Sequence, residues 1–142
     1  LIKARTAPKL SYAVAVDAKS TQSGNVTEDQ IDFDTLKDHR KLHHADYSAI
    51  VGCSFRGERL LNRCKEHKVA LIDVDTLEQL IRNQVEIPLT GEDYKKIFEQ
   101  TGIVDISVLD EARTLRLIGR CNCGMPCKRK QRRSDRRDPY FP

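Results

Sequence analysis

No run of apolar residues in this 142-residue chain approaches the roughly 20 needed to span a bilayer, which excludes a transmembrane helix. The opening residues, LIKARTAPKL, lack the long apolar stretch of a secretory signal. They also lack a Met, and so abrupt a start near a strand is expected of a fragment of a longer chain. There is no internal repeat. Cysteine is scarce and odd in number, at five, and with no export signal this favours a reducing, cytoplasmic setting over a disulfide framework. What is present is 39% hydrophobic and 32% charged, enough for one ordinary core and a well-solvated surface.

The net charge of +4 hides an asymmetry. Residues 119–142 hold eight Lys or Arg against Asp135 and Asp138, a sum of +6, so the residues before them sum to −2. The body is mildly acidic and only the tail is basic. The expected organisation is one folded domain over residues 1–118, lacking its natural N-terminal part, and a flexible basic tail over 119–142, where the apolar periodicity stops.

Residues 10–18 (LSYAVAVDA) read as an interior strand with Tyr12, Val14 and Val16 on one face and Ala13, Ala15 and Asp17 on the other. A polar loop, 20–27, leads to an amphipathic helix over 32–44 with Phe33, Leu36 and Leu42 among charges. A second buried strand is expected at 47–53 and a helix at 58–67 with Leu60, Leu61 and Cys64 inward. A third strand follows at 69–74. Asp75 or Thr76 then caps a helix buried through Leu77, Leu80 and Ile81, with Asp73 left exposed. Thr90 and Asp93 form a capping box ahead of a helix ending at Gly102, and 107–119 read as one more helix. Cys53 and Cys64 read as small buried hydrophobes. Strands alternating with helices at this spacing imply an α/β sheet with parallel neighbours at its centre.

The most informative triplet is Asp17-Ala18-Lys19, at the end of the first strong strand. Alternation along a strand sends Asp17 and Lys19 to one side and Ala18 toward the core. A carboxylate beside an ammonium suits metal-assisted hydrolysis. Asp17 would bind a hard divalent cation and the Ala18 carbonyl would add a second oxygen. Lys19 would orient or deprotonate the attacking water and offset charge building on a phosphate. On its own, such a triplet is most often a surface ion pair of little consequence.

The order of elements around the triplet resembles the PD-(D/E)xK nuclease core, and in particular the cleavage domains of FokI-type (type IIS) restriction endonucleases. YAVAVDAKS, SAIVGCSFRGERLLNRC and VALIDVDTLEQLI occur in that family's order and at similar spacing, across roughly residues 10–102. The Phe55-Arg56-Gly57 turn after a buried strand is the most particular match. The resemblance implies a restriction-endonuclease-like mixed sheet flanked by helices, with a small helical C-terminal part. It implies Mg²⁺-dependent cleavage of double-stranded DNA, with Mn²⁺ able to substitute, recognition by a separate domain, and transient homodimerisation. It assigns the second metal-binding aspartate to Asp17 and the catalytic lysine to Lys19. The family's first aspartate lies about as far before this strand as Leu1 does, and no acidic residue occurs between Leu1 and Ser11. That aspartate is either upstream of this chain or absent.

His39 and His43 share a helical face at i, i+4, but Arg40 stands where a zinc-binding H-E-x-x-H needs glutamate. A solvated helix face is the first reading, and contact of Arg40, Lys41 and His43 with a DNA backbone is the second. Cys121, Cys123 and Cys127 lack the paired spacing of a zinc ribbon, so an unstructured segment is favoured over a metal site. The basic tail suits electrostatic nucleic-acid binding or simple solvation. Two rivals stand beside the enzyme: an inactive nuclease-fold module that binds nucleic acid or a protein partner, and an unrelated α/β interaction domain. In the latter Asp17 faces solvent with no acidic neighbour within about 6 Å.

Overall fold

The computed structural model describes residues 2–7 and 10–122, with side chains described for 11–119. Five strands form one sheet in sequential order: β1 (Ile2–Ala7), β2 (Leu10–Lys19), β3 (Tyr47–Gly52), β4 (Val69–Asp73) and β5 (Gly102–Ile103). β2 to β5 run parallel, and β1 closes one edge as an antiparallel hairpin with β2. The α/β class and its parallel centre agree with the sequence pattern. The first strand of the hairpin had no counterpart in that pattern.

Helices cover both faces. α1 (Phe33–Leu42) and α2 (Glu58–His67) lie on one side; α3 (Val74–Glu86), α4 (Gly91–Phe98) and α5 (Asp110–Asn122) lie on the other. Strand alternation divides the core between them. Ile50, Val69 and Leu71 join Phe33, Leu36, Leu60 and Cys64 on the first face. Val14, Ala49, Ala70 and Ile72 join Leu80, Ile97 and Leu109 on the second. The three central strands are therefore nearly continuous apolar runs, as a sheet covered on both faces requires.

The observed elements correct several expectations. Asp73, not Asp75, caps α3: its Oδ1 accepts from the Thr76 amide at 2.7 Å, and Asp75 is exposed in the first turn. The inward face of α3 therefore passes through Thr76, Leu80 and Asn83, rotated away from the expected stripe. Leu80 is buried, whereas Ile81 is 59% exposed and Leu77 lies at the rim. Leu42 is exposed at the last residue of α1, and Leu61 is only half-buried. Cys53 is exposed because β3 has ended one residue earlier; Cys64 is buried as expected. The segment 107–119 divides into a 3-10 turn, Ile106–Leu109, and α5. α5 continues through Gly119 to Asn122. Cys123, Cys127 and the basic run from Lys128 onward lie outside the described residues.

Three local devices fix α1 against the sheet. Arg40 donates from Nε to the Ala45 carbonyl at 3.2 Å and from Nη2 to the Asp46 carbonyl. Asp46 accepts from the Ala13 amide at 2.8 Å and donates its own amide to the Ala13 carbonyl, which ties the start of β3 to β2. At the other end, Phe33 stacks on His67 at 4.9 Å and lies under the Arg63 guanidinium at 5.3 Å. These contacts set the height of α1 over the small side chains Ala13 and Ala15.

Candidate active site

Asp17 and Lys19 stand at the C-terminal end of β2, side by side as strand alternation requires. Lys19 Nζ lies 3.0 Å from Asp17 Oδ2, and the lysine and aspartate side chains are partly exposed, at 30% and 41%. They open onto a cleft of about 390 Å³ between β2 and α1. β2 contributes Ala15, Asp17 and Lys19; α1 and its cap contribute Asp32, Thr35, Leu36, His39 and His43. Residues 32, 36, 39 and 43 recur at helical spacing, so one stripe of the helix forms the wall opposite the strand.

Asp32 caps α1. Its Oδ1 accepts from the Thr35 amide at 2.9 Å and its Oδ2 from the Thr35 hydroxyl at 2.7 Å. The Thr35 hydrogen bonds, aided by the charge of Lys19, hold the Asp32 carboxyl below the usual carboxylate range. Asp32 thus stays anionic at the mouth of the cleft. Sequence reasoning passed over it, although an aspartate three residues before a threonine, ahead of an apolar-periodic run, is an N-cap signal.

The loop joining β2 to α1 is held down rather than loose. Val26 donates its amide to the Ser54 carbonyl at 2.8 Å and accepts at its carbonyl from the Arg56 amide at 3.3 Å. The Ser54 hydroxyl donates to Asn25 Oδ1 at 2.7 Å. The Phe55-Arg56-Gly57 turn is therefore the anchor of the cleft-side loop, with Gly57 at φ 109 where a side chain would be strained.

Ala18 departs from expectation. It is exposed, because the apolar layer beneath β2 thins at Val16 and the strand end projects past it. Arg40 and Lys41 also part from the site. Arg40 is committed to the Ala45 and Asp46 carbonyls, and with Lys37, Lys41 and His44 it lines a separate hollow. Of the three residues read as DNA contacts, only His43 faces the Asp17 cleft.

Magnesium is commonly held by one or two carboxylates, waters and substrate phosphates. Asp17 offers the cleft one such carboxylate, Ala18 is not among the residues that line it, and Asp32 is directed to Thr35. Among the described residues no three His, Cys, Asp or Glu side chains stand together as a metal-holding group, nor is any helix long and apolar enough to cross a membrane. Comparison with protein-family models, curated proteins and solved structures gave no match for this chain.

Proposed function

We propose that the chain is the cleavage module of a metal-dependent DNA endonuclease, cytoplasmic, with Asp17 and Lys19 at its centre. The observation that carries this reading is the Asp17–Lys19 pair, 3.0 Å apart at the end of a parallel strand and open to a helix-walled cleft. Asp17 and the Ala18 carbonyl would hold Mg²⁺ or Mn²⁺, which when bound polarises a phosphoryl oxygen and acidifies water. Lys19 holds the attacking water and offsets the charge that gathers on the phosphorane. The mildly acidic body suits a module that depends on a separate recognition domain and cuts both strands as a transient homodimer.

The hairpin register sets where a second carboxylate would have to lie. Ile2 pairs with Val14 and Lys3 with Ala13, so a chain continued upstream in this register would bring the position two residues before Leu1 opposite Asp17. An acidic residue there would share Asp17's face and supply the second carboxylate.

The second reading, an inactive nuclease-fold module that binds nucleic acid or a protein, is favoured by the lack of a three-ligand group among the described residues. Plasmid cleavage with Mg²⁺ or Mn²⁺ separates the two, using the full-length protein beside Asp17→Ala and Lys19→Ala. The enzyme reading expects metal-dependent nicking reduced at least about 100-fold by either change. Folded protein that binds DNA without cutting it would leave the binding module; cutting indifferent to both substitutions would place the chemistry elsewhere.

A further inference from the structure

Resting on the nuclease reading, we propose that His39 and His43 form a two-rung, proton-dependent clamp for consecutive phosphates of the bound DNA strand. The two imidazoles rise from successive turns of α1, with ring centroids 6.3 Å apart, and both wall the Asp17 cleft. With ~3.4 Å of rise and about a tenth of a turn per nucleotide, neighbouring phosphates of one strand stand roughly 7 Å apart. The spacing of the two rings therefore matches one nucleotide step. A strand whose scissile phosphate sits at Asp17 passes His39 and then His43 as it runs along α1, over the small side chain of Ala15.

The charge of the cleft explains why protons matter. Among the described residues, the charged groups that line the cleft with the histidines are Asp17 and Lys19 from β2 and Asp32 at the head of α1, and Asp46 stands at the junction of α1 with β3. Asp17 and Lys19 are paired with each other, so without a bound cation these side chains offer a polyanion no net attraction while the imidazoles are neutral. Protonation of both imidazoles adds two positive charges. The standing cations of α1, Lys37, Arg40 and Lys41, line a different hollow and do not substitute. Histidine is the side-chain type among these that changes charge between pH 5 and 8. Zinc is a poor alternative occupant, since no third ligand joins the pair among the described residues.

The test is binding of a fluorescein-labelled DNA duplex in EDTA, by anisotropy, at several salt concentrations and at pH 5.5 and 8.0. Each phosphate neutralised contributes about 0.9 to the slope of log K against log salt, so the slope steepens by about 1.8 on acidification. His39→Gln and His43→Gln each remove about half of that change, and the double variant removes it. Both histidines are exposed, so the variants keep the fold, which circular dichroism verifies. His44→Gln, on the same helix end but lining the neighbouring hollow, retains the full change. The basic tail adds the same slope at both pH values and cancels from the difference. A double His39/His43 variant that keeps the wild-type change overturns the clamp while leaving the nuclease reading intact, provided the wild type still cuts. A wild type that neither binds nor cuts overturns both.

Discussion

Gly52 is where the fold and the site can be tested with a single methyl group. It ends β3, pairs in register with Lys19 of β2, and lies beneath the turn that anchors the cleft-side loop. A Cβ built on it would meet Val26 Cγ2 at 2.9 Å and Phe55 Cζ at 3.1 Å. Carbon atoms pack best at about 3.5–4.0 Å, so room of roughly 0.6 Å must open against Val26, which is fully buried and has nowhere to retreat. Overpacking of this kind costs about 1–3 kcal/mol, and Gly52→Ala is expected near the middle of that range. With a urea m-value of ~1–3 kcal/mol/M, the midpoint falls by on the order of 1 M. The discriminating variant is Gly52→Ala/Val26→Ala. Each change alone destabilises, one by crowding and the other by a cavity, but together the new methyl occupies the space vacated. The double variant should be more stable than the sum of the singles by at least about 1 kcal/mol. Additivity within about 0.5 kcal/mol would refute the packing argument. It would also leave the glycine at the end of this strand without a steric cause.

Other outcomes follow from the caps, the thiols and the carboxylates. Asp73→Ala should lower stability by about 1 kcal/mol in urea unfolding, while Asp75→Ala changes it by less than about 0.5 kcal/mol; the reverse ranking would mean the cap is misassigned. Burial pushes the Cys64 thiol up to about 11, so native-state maleimide labelling read by mass spectrometry should modify Cys53 quickly and Cys64 only on unfolding. For Asp93, burial works to raise the carboxyl, and the hydrogen bonds from Thr90 with the adjacent Arg116 outweigh it, leaving it below the ordinary range. Its stabilising contribution is therefore present above the unfolded carboxylate value, near pH 4, and lost as pH falls through the lower folded one. Thermal unfolding of wild type and Asp93→Asn should converge as pH is lowered below about 5; a gap that stays constant would contradict the assignment.

The alternation of Tyr12, Val14 and Val16 against Ala13, Ala15 and Asp17 was legible because β2 is long enough for a period of two to repeat. The caps were less so. Asp73 and Asp75 both precede a helix-compatible run, and only the backbone of Asp73, at φ −77 and ψ 166, identifies it as the residue that has not yet entered the helix. The inward stripe was also ambiguous: Ile81 looked buried because it is apolar at helical spacing from Leu77, yet the more buried face runs through Thr76, Leu80 and Asn83. β1 was not legible at all, since Ile2–Ala7 alternates charged and small residues and becomes a strand only by pairing with β2.

The site shows the same division between local and non-local information. The Asp17–Lys19 pair needs nothing beyond the geometry of one strand, so sequence alone places both side chains together. Asp32, His39 and His43 join them only because α1 returns antiparallel over Ala13 and Ala15, at a height set by Arg40 at one end and Phe33 at the other. Nothing in the run DHRKLHHAD distinguishes the two histidines that meet the cleft from the one, His44, that lines the neighbouring hollow. The same run leaves two uses open for Arg40. A guanidinium next to a cluster of histidines reads as a phosphate ligand, but its five donors serve equally well to close the C-terminal end of a helix. Arg40→Lys would keep the positive charge and lose the paired carbonyl contacts. It should therefore loosen the α1–β3 junction and lower stability by about 1 kcal/mol in urea unfolding. Arg40→Gln, which removes the charge as well, should leave the salt slope of DNA binding unchanged; a slope reduced by about 0.9 with stability intact would return Arg40 to the DNA interface.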